Sequence, residues 1–184
     1  MIRFLPNALT VLRIVLAPVF LYLAGFVQTP KALIWSWIIF IVAALTDWLD
    51  GYLARKLNLI SDFGKIWDPL ADKFIVLAAL GVFTWASPFH LPWIIFAVIA
   101  LREVLVTVMR EVYARRKIFI AADLWGKLKT VLQMSGIIFF LAAWALGFTA
   151  YGLLLTCNLW FLLVAIVTIL SGVNILSNKP TKLI

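Results

Sequence analysis

Residues 46–73 read TDWLDGYLARKLNLISDFGKIWDPLADK, a charged segment set between two long apolar runs. Asp47 and Asp50 stand three residues apart and Asp68 and Asp72 four apart, so each pair shares one face wherever its segment is helical. The flanking runs, 32–54 and 69–86, have roughly the 20 residues that an α-helix rising 1.5 Å per residue needs to cross a bilayer. Two membrane helices joined by a polar connection would hold all four carboxylates at one membrane surface.

Working outward from this segment, further apolar runs fall near 8–27, 92–114, 128–147 and 151–176. The sequence therefore predicts an all-α integral membrane protein of six transmembrane helices in one domain, residues 1–184. Thr29-Pro30, Ser87-Pro88 and the stretch from Gly147 to Tyr151 make short breaks, whereas 55–68 and 115–127 are expected to be longer polar loops. Arg13 interrupts the first apolar run, so that run is expected to be a span and not a cleaved signal peptide. The composition agrees: 65% of the 184 residues are hydrophobic and 13% charged.

Of the 16 Lys and Arg, only Lys31 falls on one side of this arrangement. The positive-inside rule then places both termini and the two long loops in the cytoplasm. All eight acids lie on that side too, so chemistry is expected at the cytoplasmic boundary of the inner (cytoplasmic) membrane. The other surface carries Lys31, His90 and tryptophans such as Trp35, Trp85 and Trp93, an interfacial aromatic belt. One cysteine, Cys157, excludes an intramolecular disulfide, and one histidine, His90, excludes zinc-cluster and His-triad chemistry. The net charge of +8 belongs to membrane-facing loops and not to nucleic-acid binding; Arg115, Arg116 and Lys117 suit anionic headgroups.

Four carboxylates gathered at a membrane boundary repel one another and are costly to desolvate. An all-oxygen donor set without His or Cys suits Mg²⁺ or Mn²⁺ and leaves coordination for phosphates, as in two-metal sites. A proton or ion relay in a transporter is the competing use of such acids. Asp68 has a simpler reading as well, as the N-cap of a helix beginning at Pro69.

Written out, Asp47-x-x-Asp50-Gly51-x-x-Ala54-Arg55, eight residues, Gly64, three residues, Asp68, three residues, Asp72 resembles the signature of the CDP-alcohol phosphatidyltransferase family at every fixed position. Pro6-Asn7-x-Leu9-Thr10-x-x-Arg13, Arg102-Glu103 with Arg110-Glu111, and Gly126-Lys127-x-Lys129-Thr130 resemble its branch of bacterial phosphatidylglycerophosphate synthases. The resemblance implies a six-helix bundle, commonly a homodimer, that uses two divalent metals to transfer a phosphatidyl group from CDP-diacylglycerol to sn-glycerol 3-phosphate. It implies metal ligation by Asp47, Asp50, Asp68 and Asp72, with Asp72 also the general base. Nucleotide contacts would come from Asn7, Thr10, Arg13, Gly51, Ala54 and Arg55, and acceptor-phosphate contacts from Arg102, Arg110, Lys127 and Lys129. Bland readings stand beside these: Asn7 can cap the first span, Arg13 can snorkel, and Arg102 can pair with an aspartate or with Glu111. Another acceptor, such as inositol phosphate, serine or phosphatidylglycerol, is compatible with the same aspartates. The last two spans look generic, with Phe139, Phe140 and Trp160 read as lipid-facing or packing residues.

Overall fold

The computed structural model describes residues 5–57, 62–115, 118–119, 124–177 and 181–182, with side chains described for 11–46, 73–109, 111–113 and 124–175. These residues form six helices: α1 (Leu5–Tyr22), α2 (Pro30–Leu57), α3 (Asp62–Trp85), α4 (Trp93–Arg115), α5 (Leu124–Ala145) and α6 (Tyr151–Ser177). The remaining regular structure is a two-residue antiparallel pairing of β1 (Ile118–Phe119) with β2 (Thr181–Lys182).

Local chemistry sets the turns. α1 runs into a π-helical turn, Leu23–Val27, which ends at Gln28 in the left-handed region (φ 50°). Thr29 then caps α2, its hydroxyl oxygen accepting from the Ala32 N–H at 3.3 Å, and Pro30 takes the first helical position, where its missing N–H is no loss. Between α3 and α4, Ser87 donates to the Phe83 carbonyl and the Leu91 N–H returns to that same residue, which draws the loop tight. α5 stops in a Schellman motif: Gly147 has φ 80°, Phe148 N–H reaches the Ala143 carbonyl and Gly147 N–H that of Trp144.

The helices close a ring in the order α1, α2, α5, α6, α4, α3. Its interior at the α3–α4 loop end is aromatic. Phe83, Phe89, Phe140 and Phe161 meet edge-on or tilted with centroids 5.6–6.0 Å apart. Phe140 is therefore core, while Phe139 is exposed. α6 shows how the ring is made. Cys157, Phe161, Val164, Thr168, Ser171 and Ile175, at spacings of three and four, are buried, yet the outward Leu159, Leu162, Ile166, Ile169 and Val173 are apolar too.

Two helices, α5 and the Tyr151–Ile175 part of α6, are long and apolar enough to cross a membrane; Val11–Val27, Pro30–Thr46 and Lys73–Trp85 are shorter apolar segments among the described residues. Two sequence expectations are corrected at the polar end. α2 continues to Leu57 and α3 starts at Asp62, so helix covers most of the expected loop of 55–68. An apolar run ends where its side chains turn polar, but good helix formers such as Arg55, Lys56 and Leu57 carry the helix further. For the same reason Asp68 is not an N-cap: α3 already runs through 68 and Pro69.

Close packing of α5 on α6 depends on Gly136, where a Cβ would run into the Trp160 indole. That indole donates to the Leu132 carbonyl at 3.0 Å, and from the other side Trp37 donates to Ile138 at 3.1 Å. Gly136→Leu is expected to displace Trp160 and destabilise the fold by about 1–3 kcal/mol, read as a lower melting temperature in detergent. An unchanged melting temperature would show that the α5–α6 contact tolerates the side chain.

Candidate active site

The polar end of the ring is where α1, α3 and α5 begin and α2, α4 and α6 finish. The signature positions gather on its helices. Positions 47, 50, 51, 54 and 55 lie in the second half of α2, and 68 and 72 in the first half of α3, which contacts α2. The side chains of Asp47, Asp50, Gly51, Ala54, Arg55, Asp68 and Asp72 lie outside the described residues, as do those of Asn7, Thr10 and Arg110. What the backbone adds is continuity: both pairs sit within unbroken helix, so the three- and four-residue spacings keep each pair of positions on one helix face.

Described side chains supply the rest of the polar end. Arg13, on α1, is 1% exposed, the most deeply buried charged group among them. It lies inside the bundle, which does not fit the reading of a snorkelling arginine. Lys129, in the second turn of α5, is buried against Glu103 of α4 and forms an ion pair with its carboxylate. The Arg102 guanidinium reaches that same carboxylate oxygen at 3.7 Å and donates to the Ser171 hydroxyl of α6 at 2.6 Å. Arg102 thus pairs with its own chain neighbour and with α6. Helix periodicity sets adjacent residues about 100° apart, but the arginine side chain is long enough to reach round. Lys127, two residues before Lys129, is exposed.

Next to this cluster a pocket of about 50 Å³ opens between α3, α4 and α5. Lys73, Glu103, Lys129, Thr130 and Gln133 line its polar side, with Val76, Leu77 and Met134 as its apolar wall. Lys73 directly follows Asp72, so the pocket adjoins the helix that carries the second aspartate pair. Arg102 is not among the lining residues; it stands behind Glu103, against α6. Of the four cations expected around an acceptor phosphate, the structure brings Arg102 and Lys129 together through Glu103 and leaves Lys127 at the surface.

Sequence reading overlooked three contributors. Ser171 lies on a span taken as generic, and its only signal was a hydroxyl in a strongly apolar helix. Gln133 is one turn beyond Lys129 and equally buried. Glu103 was quoted in a motif but given no task.

Two metal ions are implied by the resemblance, and the donor chemistry fits them. Four aspartate positions on two packed helices offer oxygen ligands only, the preference of Mg²⁺ and Mn²⁺. Among the described residues no other group of three or more His, Cys, Asp or Glu competes for a metal.

Comparison with known proteins extends over nearly the whole chain. Residues 3–173 match the CDP-alcohol phosphatidyltransferase family. Proteins named CDP-diacylglycerol--glycerol-3-phosphate 3-phosphatidyltransferase are similar in several bacteria. The one from Bacillus subtilis (strain 168) is 41% identical over 143 residues, 71% of this chain and 72% of that protein. The Wigglesworthia glossinidia brevipalpis protein is 39% identical over 137 residues, covering 72% and 74%, and the Haemophilus influenzae protein is 38% identical over 134 residues, covering 71% of each. With the aspartate signature inside the matched residues and helices running through both halves of it, this chain belongs to the CDP-alcohol phosphatidyltransferase family.

Proposed function

We propose that this enzyme transfers a phosphatidyl group from CDP-diacylglycerol to sn-glycerol 3-phosphate, releasing CMP and leaving phosphatidylglycerol phosphate in the membrane. The observation that carries the reading is the family match over residues 3–173, joined by relatives that all bear the name of this reaction. Buried Lys129 and half-buried Arg102, which share the Glu103 carboxylate beside the signature helices, support a phosphorylated acceptor.

The setting belongs to the same proposal. One domain of six spans, with both termini cytoplasmic, lies in the inner membrane as a homodimer. Its outward apolar side chains on α1, α2, α4, α5 and α6 support lipid contact on all sides. The fifteen-to-one distribution of basic residues supports a cytoplasmic site. Donor acyl chains then stay in the bilayer, while the nucleotide and the water-soluble acceptor meet at its boundary.

In the reaction the free hydroxyl oxygen of glycerol 3-phosphate attacks the phosphorus that bears diacylglycerol. The phosphoanhydride bond breaks with its electron pair going to CMP, and the hydroxyl proton passes to Asp72. Asp47, Asp50, Asp68 and Asp72 would hold two Mg²⁺ or Mn²⁺ ions, which would neutralise the diphosphate and the charge that develops on it. Asn7, Thr10, Arg13, Gly51, Ala54 and Arg55 border the cytidine diphosphate. Arg102, Arg110, Lys127 and Lys129 serve the acceptor phosphate. Holding both substrates in line contributes much of the acceleration.

CMP release from purified protein in mixed micelles with CDP-diacylglycerol and Mg²⁺ tests this, with glycerol 3-phosphate, inositol phosphate and serine offered in parallel. Release with glycerol 3-phosphate alone is expected. Release with another acceptor would overturn the acceptor assignment, and folded protein inert with every acceptor and metal would favour an ion-coupled transporter.

A further inference from the structure

We infer that Glu103 is a positioning residue for the acceptor: it fixes Lys129 in the pocket wall and ties that lysine to Arg102, so the cationic side of the pocket is set before the acceptor arrives. The inference rests on the proposed acceptor and goes beyond it by giving a task to an acid that touches neither substrate.

Three helices meet at this carboxylate. Glu103 comes from α4 and is 8% exposed, Lys129 comes from α5 and is 4% exposed, and Arg102 is anchored to α6 through the Ser171 hydroxyl. A lysine chain has four rotatable bonds, and its ammonium samples many positions unless something holds it. The ion pair with Glu103 removes that freedom at the point where Lys129 lines the pocket. Arg102, 3.7 Å from the same oxygen, is held from its far side by Ser171, so Glu103 sits between two fixed cations. Glu103 also lines the pocket, so its negative charge disfavours a carboxylate or phosphate seated directly on it. That directs an anion toward the Lys129, Thr130 and Lys73 side, nearer to the residue that follows Asp72. The Glu103 backbone is held as well, its carbonyl accepting from the Thr107 hydroxyl at 2.6 Å.

A plain structural role, an ion pair holding α4 to α5, predicts a different outcome, so the test separates the two. Steady-state CMP release is measured for wild type, Glu103→Gln and Glu103→Asp, each also in a Lys129→Gln background, with melting temperatures recorded alongside. Glu103→Asp keeps the charge and one methylene less, so it serves if Glu103→Gln does not fold. Both Glu103 variants are expected to raise KM for glycerol 3-phosphate roughly tenfold or more, by analogy with losing a supporting partner in a metal site. KM for CDP-diacylglycerol should stay within about twofold, and the effect should nearly vanish once Lys129 is already Gln, because residues acting as a unit are not additive. An unchanged acceptor KM, even with a lower melting temperature, would overturn the inference, as would effects that simply add. Wild type that turns over a different acceptor would instead overturn the reading underneath, a failure visible before any variant is made.

Discussion

Asp72→Asn is expected to lower CMP release by roughly two to four orders of magnitude, the usual contribution of a positioned general base. The substitution keeps the size and shape of the side chain and removes its capacity to take a proton. Position 72 is suited to the task because the next residue, Lys73, lines the pocket that also contains Lys129. An acceptor whose phosphate is held on that wall would lie beside the helix that carries Asp72, and base catalysis requires the carboxylate within hydrogen-bond reach of the acceptor hydroxyl. The loss should fall on kcat, with KM for glycerol 3-phosphate changing far less, since the proposed base would act on the hydroxyl and the proposed basic contacts on the phosphate. Single-turnover CMP release from reconstituted protein checks this. Activity within about tenfold of wild type would remove Asp72 from the base role, because one carboxylate amide exchange at a true base costs more than that.

That prediction was available from spacing and resemblance, whereas the cluster around Glu103 was not. Helical periodicity puts residues 47 and 50, or 68 and 72, on common faces whatever the surroundings, so local arithmetic suffices. The partners of Arg102 depend on the ring order, in which α4 touches α6, and no periodicity within α4 encodes that. Hence Glu111 and the aspartates were its expected partners, and the Ser171 hydroxyl on α6 was not foreseen. Arg13 shows the same limit: an arginine near the end of an apolar run can snorkel or turn inward, and only packing decides, here for the interior. Helix positions were legible to within a few residues except at the polar end, where hydropathy marks where the apolar side chains stop and the backbone continues as helix through 57 and from 62. The α5–α6 pair was the most strongly apolar and the least informative by sequence, yet Gly136 and Ser171 carry specific duties there.

Removing divalent cations is expected to abolish turnover and to loosen the fold at the same time. Four aspartate positions lie toward the polar ends of α2 and α3, and two like charges about 4 Å apart would repel by about 4 kcal/mol at an effective dielectric constant near 20. Mg²⁺ or Mn²⁺ bound there would convert that repulsion into attraction, so binding energy and stability would be linked. At a free metal concentration 100 times the dissociation constant, the native state gains about 2.7 kcal/mol. Chelation of the purified protein should therefore lower its melting temperature by several degrees, and added Mg²⁺ should restore both stability and CMP release. Asp68→Asn should blunt the stabilisation by Mg²⁺ and lose most activity, because Asp68 is a proposed ligand and would be one of the repelling charges. A transporter using these acids as a proton relay makes the opposite prediction: chelation would leave its melting temperature where it was. The thermal shift is informative even without substrate, so it separates a metal site from a relay before the acceptor is known. A melting temperature indifferent to chelator and to Mg²⁺, in protein that nevertheless releases CMP, would mean that the ions arrive with the nucleotide and are not held by the aspartates alone.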